Sequence, residues 1–211
     1  MPPITKHIGS ILLVLGLIVG VLFVLQVLPH VEPARAATRT ATTCNQPDVQ
    51  AAIDAAADGD TVQIPAGSCT WTTNVGWMNK NIILQGTGID QTIITADGSY
   101  GLYIATSDSA KGTFRITGMT FTDTNPASVV IAITTEGNPG IVRGWRVDHL
   151  KFNYSINQRN GIIIRGVTYG LIDHNQFNWG MDLAIHIAAY NASDGCSTDN
   201  PAGGYIALQP V

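Results

Sequence analysis

The chain has 211 residues, of which 22 are glycine and only 12% are charged, and its net charge is −4. This length suits one domain with a sizeable core, and a glycine-rich, sparsely charged composition favours β structure with many turns. Because there is no run of Lys or Arg, the composition excludes an extended basic surface, and we expect no nucleic-acid partner.

The N-terminus has the pattern of a targeting segment. Lys6 precedes an apolar stretch over residues 8–28, and a small-x-small site at residues 34–36 follows. These features are typical of a secretory signal, although about 20 apolar residues also suffice to span a membrane. We assign residues 1–36 to a signal peptide or an N-terminal membrane anchor. Either alternative predicts export: a secreted or extracytoplasmic protein if the segment is cleaved, and an anchored protein with its domain outside if it is retained.

The three cysteines fit an oxidising compartment. Cys44 and Cys69 flank a compact segment and could pair. On the loop-entropy model, the closed loop would contribute roughly 3 kcal/mol. Cys196 is then left without a partner in this chain.

One soluble helix is predicted over about residues 47–57, after a lead-in at residues 37–46 that is rich in Thr and Ala. Pro47 suits the first helical position, and Gly59 suits a stop. The apolar positions of this segment fall on one narrow face and are Val49, Ala52, Ile53 and Ala56. The sequence therefore predicts a short amphipathic helix with one face to bury.

From residue 61 onward the sequence predicts short strands and turns only. The predicted strands are at residues 61–64, 82–84, 92–95, 102–105, 114–116, 129–134, 141–147, 161–165, 171–172 and 184–188. The runs at 129–133 and 162–164 are continuous and β-branched, which favours parallel strands over a meander. Because no helices lie between them, the strands predict a parallel β-coil, with turns of roughly 22–31 residues stacked at about 4.8 Å.

A six-residue pattern that begins with an aliphatic residue and ends with phenylalanine supports this coil. Its three copies span residues 116–121, 147–152 and 172–177, with spacings of 31 and 25 residues. A repeat of this kind is one structural unit that buries its apolar face against its neighbours. We predict that Phe121, Phe152 and Phe177 fill one interior column.

Three stretches of the N-terminal half resemble a known superfamily. They are Val49-Gln-Ala-Ala-Ile53, Gly59-Asp-Thr-Val-Gln-Ile-Pro-Ala-Gly67 and Lys80-Asn-Ile-Ile-Leu-Gln-Gly86-Thr-Gly88. They resemble the N-terminal cap and first coil of pectin-lyase-like right-handed parallel β-helix proteins, in which the rung at residues 172–177 also recurs.

The resemblance covers roughly residues 44–190 and implies an all-β, right-handed parallel β-helix over residues 47–211, with an N-terminal capping helix. Members usually have more coils than the roughly five counted here. We therefore expect a chain truncated at its C-terminus, and a monomer if full length. The class includes polysaccharide lyases, glycoside hydrolases, phage tailspikes and non-catalytic surface proteins, so it does not by itself assign a reaction.

Aligning the repeats places Asp148 beside Asp173, and His149 beside His174. Two carboxylates one coil apart repel unless a cation or hydrogen bonds intervene, and Ca²⁺ accepts such ligands. The resemblance to pectate-type lyases implies calcium there, with Arg146, Lys151 or Arg165 as the base. The alternative, which we favour, is that these residues form turns.

Other candidates lie close to this set. Asp182 and His186 could share a groove, and Asp182 would complete the aspartates open to a hydrolase, although a neutral core histidine is the favoured interpretation of His186. Tyr154 and Trp179 occupy equivalent places on adjacent coils and form either a platform for sugar rings or simple packing. His149 and His174 are a metal or acid–base pair, or, as we favour, stacked turn residues.

The leading functional hypothesis is an exported carbohydrate-active protein that acts on an extracellular polysaccharide as a lyase or a glycoside hydrolase. The alternative is a non-catalytic, adhesin-type β-helix that binds glycans or spaces domains. In both, the expected partner is an extracellular polysaccharide, and membrane contact occurs only through residues 1–36 if they are retained.

Overall fold

A computed structural model describes residues 35–123, 129–137, 141–154, 158–166, 168–178 and 181–188. The chain divides into two compact units, Met1–Arg35 and Ala36–Val211, and the fold below is that of the second. Within the described ranges, no helix is long and apolar enough to cross a membrane. The predicted targeting stretch at residues 8–28 and Cys196 lie outside them, so both predictions stay open.

The described residues form one α-helix, a short 3-10 helix at Ser109–Lys111 and fourteen strands. The helix α1 is Gln46–Ala55, and the strands are β1 Thr38–Thr40, β2 Thr61–Gln63, β3 Gly67–Trp71, β4 Val75–Met78, β5 Ile83–Gln85, β6 Thr92–Ala96, β7 Tyr100–Thr106, β8 Arg115–Asp123, β9 Val129–Thr135, β10 Val142–Asn153, β11 Gln158–Arg165, β12 Thr168–Asp173, β13 Gln176–Phe177 and β14 Met181–Ala188.

The strands build a parallel β-solenoid of about five turns, which confirms the predicted all-β fold with an N-terminal helix. Sheet 1 contains nine strands: β1, β2, β5, β8, β10 and β12 in order, together with β3, β6 and β13. Sheet 2 contains five, in the order β4, β7, β9, β11 and β14. Successive coils pair in register, so the same position of each turn recurs one strand further along the sheet.

The predicted phenylalanine column is confirmed. Phe152 pairs with Phe121 on one side and Phe177 on the other. The ring centroids of Phe121 and Phe152 are 6.0 Å apart, and those of Phe152 and Phe177 are 4.7 Å apart with nearly parallel planes. Because Phe121 and Phe152 are fully buried, this column fixes the register of the coils.

Sheet 1 turns a corner within single strands, where the sequence predicted that each strand would end. β8 and β10 continue through Gly118 (φ 72°) and His149 (φ 52°), and His174 (φ 53°) lies between β12 and β13. One left-handed residue bends the strand without ending its pairing. Asn175 supports this corner, since its Oδ1 accepts from Leu150 N and its Nδ2 donates to Val147 O. β3, β4 and β13 were not predicted at all.

The helix covers the first coil, as predicted, but it ends at Ala55 rather than residue 57. Val49 and Ile53 are fully buried. Gln50 exchanges two hydrogen bonds with the backbone of Gly76, so it satisfies part of the outer edge of β4. Lys80 Nζ donates to the carbonyls of Ile53, Asp54 and Ala56 and so caps the helix C-terminus, which the sequence assigned to a glycine stop.

A disulfide, a strand pairing and the hydrogen bonds of one aspartate hold the N-terminal cap in place. The Cys44–Cys69 disulfide joins the segment before α1 to β3, which confirms the pairing that the sequence left open. β1, inside the predicted lead-in, pairs with β2. Asp60 accepts hydrogen bonds from Ala37 N, Ala57 N and Arg39 Nε, and these lower its pKa to about 2.

Candidate functional site

Two clusters of polar side chains lie on the outside of the solenoid. The first, here called the corner ladder, follows the corner of sheet 1 through the third, fourth and fifth coils. Its members are Arg115, Arg146, Asp148, His149, Asp173 and His174. The second, the outer cluster, belongs to sheet 2 and contains Tyr100, Tyr103, Glu136, Arg165 and His186.

In the ladder, Asp148 is completely buried and is held by a guanidinium from the coil below. Arg115 donates from Nε to Oδ1 (2.7 Å) and from its terminal nitrogen to Oδ2 (2.6 Å). Burial raises the pKa of Asp148, but the hydrogen bonds from Arg115 and His149 and the charge of Arg146 outweigh it, so the pKa lies below its ordinary value. Asp148 is therefore a carboxylate at neutral pH.

The next coil repeats the arrangement. Arg146 donates from Nε (2.9 Å) and from its terminal nitrogen (2.6 Å) to the two oxygens of Asp173, and these bonds lower the pKa of Asp173. Arg146 Nε also lies 3.7 Å from Asp148 Oδ1. The predicted placement of Asp148 beside Asp173 exists in the register, and Thr117 occupies the same position of the preceding coil. A guanidinium separates its two carboxylates, which is how the expected repulsion is relieved.

Each aspartate also holds the histidine that follows it. His149 Nδ1 is 2.6 Å from Asp148 Oδ2, and His174 Nδ1 is 2.6 Å from Asp173 Oδ2. The two imidazoles stack with centroids 5.1 Å apart and planes 3° from parallel. Their side chains are 54% and 55% exposed. A neutral imidazole that donates through Nδ1 presents the lone pair of Nε2, and here the ring that carries it faces water.

These two carboxylates do not fit a calcium site. Ca²⁺ takes about six to eight oxygen ligands, whereas Asp148 and Asp173 each bind a guanidinium through both oxygens and an imidazole through one. Within the described part of the chain, no group of three or more His, Cys, Asp or Glu residues is placed to hold a metal ion. We therefore do not propose Asp148 and Asp173 as a calcium site.

The cations predicted as bases are engaged. Lys151 Nζ lies 2.8 and 3.0 Å from the two oxygens of Asp90. The hydrogen bonds to Asp173 raise the pKa of Arg146, which makes it a poorer proton acceptor. Arg165 belongs to β11 of sheet 2, not to the ladder, and its NH1 lies 3.4 Å from Tyr100 Oη.

Arg115 was missed by the sequence reasoning, although a signal existed. It precedes Ile116 by one position, just as Arg146 precedes Val147, and the two arginines are paired in the register. The repeat alignment compared positions within the six-residue pattern and did not extend one residue before it.

The outer cluster follows from the alternation of strands in sheet 2. Leu102 and Ile104 are buried in the core, so Tyr103 between them points outward, and the same alternation places Arg165, which follows the buried Ile164, outside. His186 is in register with Ile163, and Tyr103 with Ala132, which pairs with Ile163. Three strand steps therefore separate Tyr103 from His186, about 14 Å along the solenoid axis.

Aromatic and charged groups meet at one end of this cluster. The rings of Tyr100 and Tyr103 are 5.3 Å apart and tilted by 56°. Tyr103 Oη donates to Glu136 Oε1 at 3.1 Å. Because Arg165 is in the fourth coil and Tyr100 in the second, their contact spans the third coil. Tyr100 and Tyr103 were not predicted, although the alternation around residues 102–105 would have placed Tyr103 outside.

His186 is the other notable member. Its Nδ1 is buried, and it finds no hydrogen-bond partner among the residues that the structure describes. Buried polar groups normally have partners, which makes this nitrogen a candidate proton acceptor. Asp182 is in the same strand, but its side chain lies outside the described part, as does Trp179, so their predicted roles stay predictions.

Tyr154 packs inside the solenoid. It is 5% exposed, and its ring lies 6.2 Å from that of Phe152. Of the two interpretations of this residue, packing accounts for its position, and no face of the ring is free for a sugar.

Comparison with protein-family models, curated proteins and solved structures found no match to this chain.

Proposed function

We propose that this protein is an exported, carbohydrate-active β-solenoid that binds an extracellular polysaccharide along the outer cluster of sheet 2. The observation that carries the proposal is the meeting of two tyrosine rings with a carboxylate and a guanidinium at Tyr100, Tyr103, Glu136 and Arg165. Aromatic faces pack on the apolar C–H faces of sugars, and charged groups bind the hydroxyls. The Cys44–Cys69 disulfide is compatible with an extracellular location.

Elimination is the enzymatic reaction that these residues support best. In this reaction a base takes the proton next to a uronate carboxyl group, the neighbouring C–O bond breaks, and a double bond forms while the leaving oxygen is protonated. His186 supplies the base, since its buried Nδ1 has no partner among the described residues. Arg165, which is on the neighbouring strand β11 and pairs with Ala188 two residues beyond His186, is the cation proposed for the carboxylate.

Hydrolysis has less support. It requires two carboxyl groups, one of them protonated near neutral pH. Among the described side chains, Glu136 is the one carboxylate of the outer cluster, and the lowered pKa values of Asp148 and Asp173 keep both of those groups ionised.

A non-catalytic glycan-binding protein is the second candidate. It is favoured by the corner ladder, where Asp148 and Asp173 are engaged in ion pairs that join successive coils. In this alternative the outer cluster binds the polymer without cleaving it.

One set of variants separates these candidates. The full chain is incubated with uronic-acid polymers, and the ultraviolet absorbance of unsaturated product and the binding of the polymer are both measured. A lyase predicts that His186→Gln abolishes product and keeps binding. Wild-type binding without product leaves the non-catalytic candidate. Lys111→Gln, which removes a cation paired with Asp58 on another part of the surface, is the charge control and should change neither readout.

Tyr103→Ala tests the location of the site. Loss of the ring and of its bond to Glu136 should weaken polymer binding by at least about tenfold, the value of one aromatic or hydrogen-bonded contact. Wild-type affinity in this variant, or no glycan binding by the wild type, would overturn the proposal. Mass analysis of the secreted chain checks export, with an N-terminus at Ala37 expected if the signal is cleaved.

A further inference from the structure

We propose that the corner ladder is a second binding site, in which His149 and His174 together bind an oxyanion of an anionic polysaccharide. It rests on the proposed function only in the choice of a polysaccharide as the polymer. The site lies on sheet 1, whereas the outer cluster belongs to sheet 2, so each can be altered without touching the other.

The geometry of the two imidazoles carries the proposal. Both rings are anchored through Nδ1 to an aspartate at 2.6 Å, and they lie parallel, 5.1 Å apart, with more than half of each side chain in water. When Nε2 carries a proton, two donors stand side by side. A carboxylate or sulfate group in front of them accepts one hydrogen bond on each of two oxygens.

A metal ion fits the same rings less well. Imidazole lone pairs lie in the ring plane, and in two parallel rings they do not converge on one point. An oxyanion has two acceptors and requires no such convergence.

The charges of the ladder make this binding depend on pH. Arg115 and Arg146 balance Asp148 and Asp173. On the neighbouring row, Lys151 is balanced by Asp90, and the equivalent corner position of the coil below is the uncharged Gly118. The fixed charges around the two rings therefore nearly cancel. Histidine is the side chain whose charge ordinarily changes between about pH 5 and 8, so pH is the variable that tests whether charge on these two rings takes part in binding.

The two aspartates are engaged inside the ladder. Each is buried or nearly so, and each already accepts both bonds of a guanidinium. A proton added at Nε2 therefore lies on the solvent side of the ring, away from the aspartate. In the neutral form the same nitrogen accepts a hydrogen bond from a sugar hydroxyl, which needs no charge on the polymer.

Dextran, carboxymethyl-dextran and dextran sulfate share one backbone and differ in their oxyanions, so they are suitable probes. Binding of each to the full chain is measured by titration calorimetry at pH 5 and pH 8. The anionic polymers should bind at least about tenfold more tightly at pH 5, the gain expected from one charge-assisted hydrogen bond, and dextran should not. Comparison of the two anionic polymers shows whether carboxylate or sulfate is the better ligand.

The double variant His149→Asn, His174→Asn is the decisive test. Asparagine tolerates the left-handed backbone that both positions adopt, so the corner can form, and circular dichroism and a thermal melt check that it does. The variant should lose the increase in affinity for the anionic polymers at pH 5. Lys111→Gln, which removes a cation elsewhere, should keep it.

The proposal is wrong if the double variant still binds the anionic polymers more tightly at pH 5 than at pH 8, or if the affinity for dextran rises as much as theirs. It is also wrong if the wild type binds neither anionic polymer. Inorganic sulfate is titrated in parallel: tight binding of the free ion would overturn the choice of a polymer ligand. Tyr103→Ala separates the two proposals. If it binds all glycans as the wild type does while the histidine variant loses the gain, the outer cluster is wrong and the ladder stands.

Discussion

Replacing Asp148 with Asn is expected to destabilise the fold by about 3 kcal/mol, the lower end of the range for breaking a buried ion pair. The side chain is 0% exposed and accepts two hydrogen bonds from Arg115 and one from His149. Asparagine has nearly the same volume, but it loses the charge and turns an NH₂ group toward donors. The loss stays below the upper end because the guanidinium of Arg115 is 38% exposed and regains water.

Asp173→Asn is the matched control, since Asp173 makes the same contacts with Arg146 and His174 but is 13% exposed. It should cost less, about 1–2 kcal/mol, because the carboxylate of Asp173 is itself nearer to water while its partners are as exposed as those of Asp148. Urea unfolding with the disulfide intact measures both losses of unfolding free energy. The dependence of that free energy on urea concentration is compared between the variants. Equal losses in the two variants, or a loss below about 1 kcal/mol for Asp148→Asn, the range of a surface pair, would refute the reasoning.

Three further predictions concern the Asp148 carboxylate, the phenylalanine column and the disulfide. The lowered pKa of Asp148 stabilises the fold above the ordinary value of 3.8, and this contribution is lost as pH falls through the folded pKa. The difference in unfolding free energy between wild type and Asp148→Asn, measured by urea unfolding at several pH values, should therefore narrow as pH falls below 3.8, and a constant difference would contradict it. Phe152→Ala should cost about 3–5 kcal/mol by calorimetry, because the ring is buried between Phe121 and Phe177, and a loss like that of a surface residue would argue against one interior column. Removing the disulfide with Cys44→Ala and Cys69→Ala should cost roughly 3 kcal/mol for a separation of 25 residues, and an unchanged melting temperature would show that the cap does not depend on it.

The corner of sheet 1 shows how far the pattern could be followed from sequence. The residues around His149 and His174 were predicted to form turns, and the chain does change direction at both. Neither is a multi-residue turn, because a single left-handed residue at His149 or His174 bends the strand while pairing continues on both sides. Positive φ at a non-glycine residue is a backbone property that composition does not reveal, although His and Asn tolerate it better than most residues.

The ion pairs of the corner ladder could not be predicted from the alignment of the repeats. Row alignment placed Asp148 beside Asp173, and the register confirms it. The alignment did not show that Arg115 and Arg146 cross between rows, from one coil to the aspartate of the next. The calcium and general-base assignments came from treating these carboxylates and cations as free groups.

The sequence by itself determined the coil. β-Branched runs without intervening helices favour parallel strands, and a repeated aliphatic–phenylalanine pattern indicates that its copies share one interior column. These signals recur from one turn to the next in the second half of the chain. Tertiary structure alone decided which charged groups neutralise one another and which remain available, because long side chains reach diagonally across neighbouring strands. That reach is why Asp148 and Asp173 are engaged in ion pairs while the rings of His149 and His174 face water.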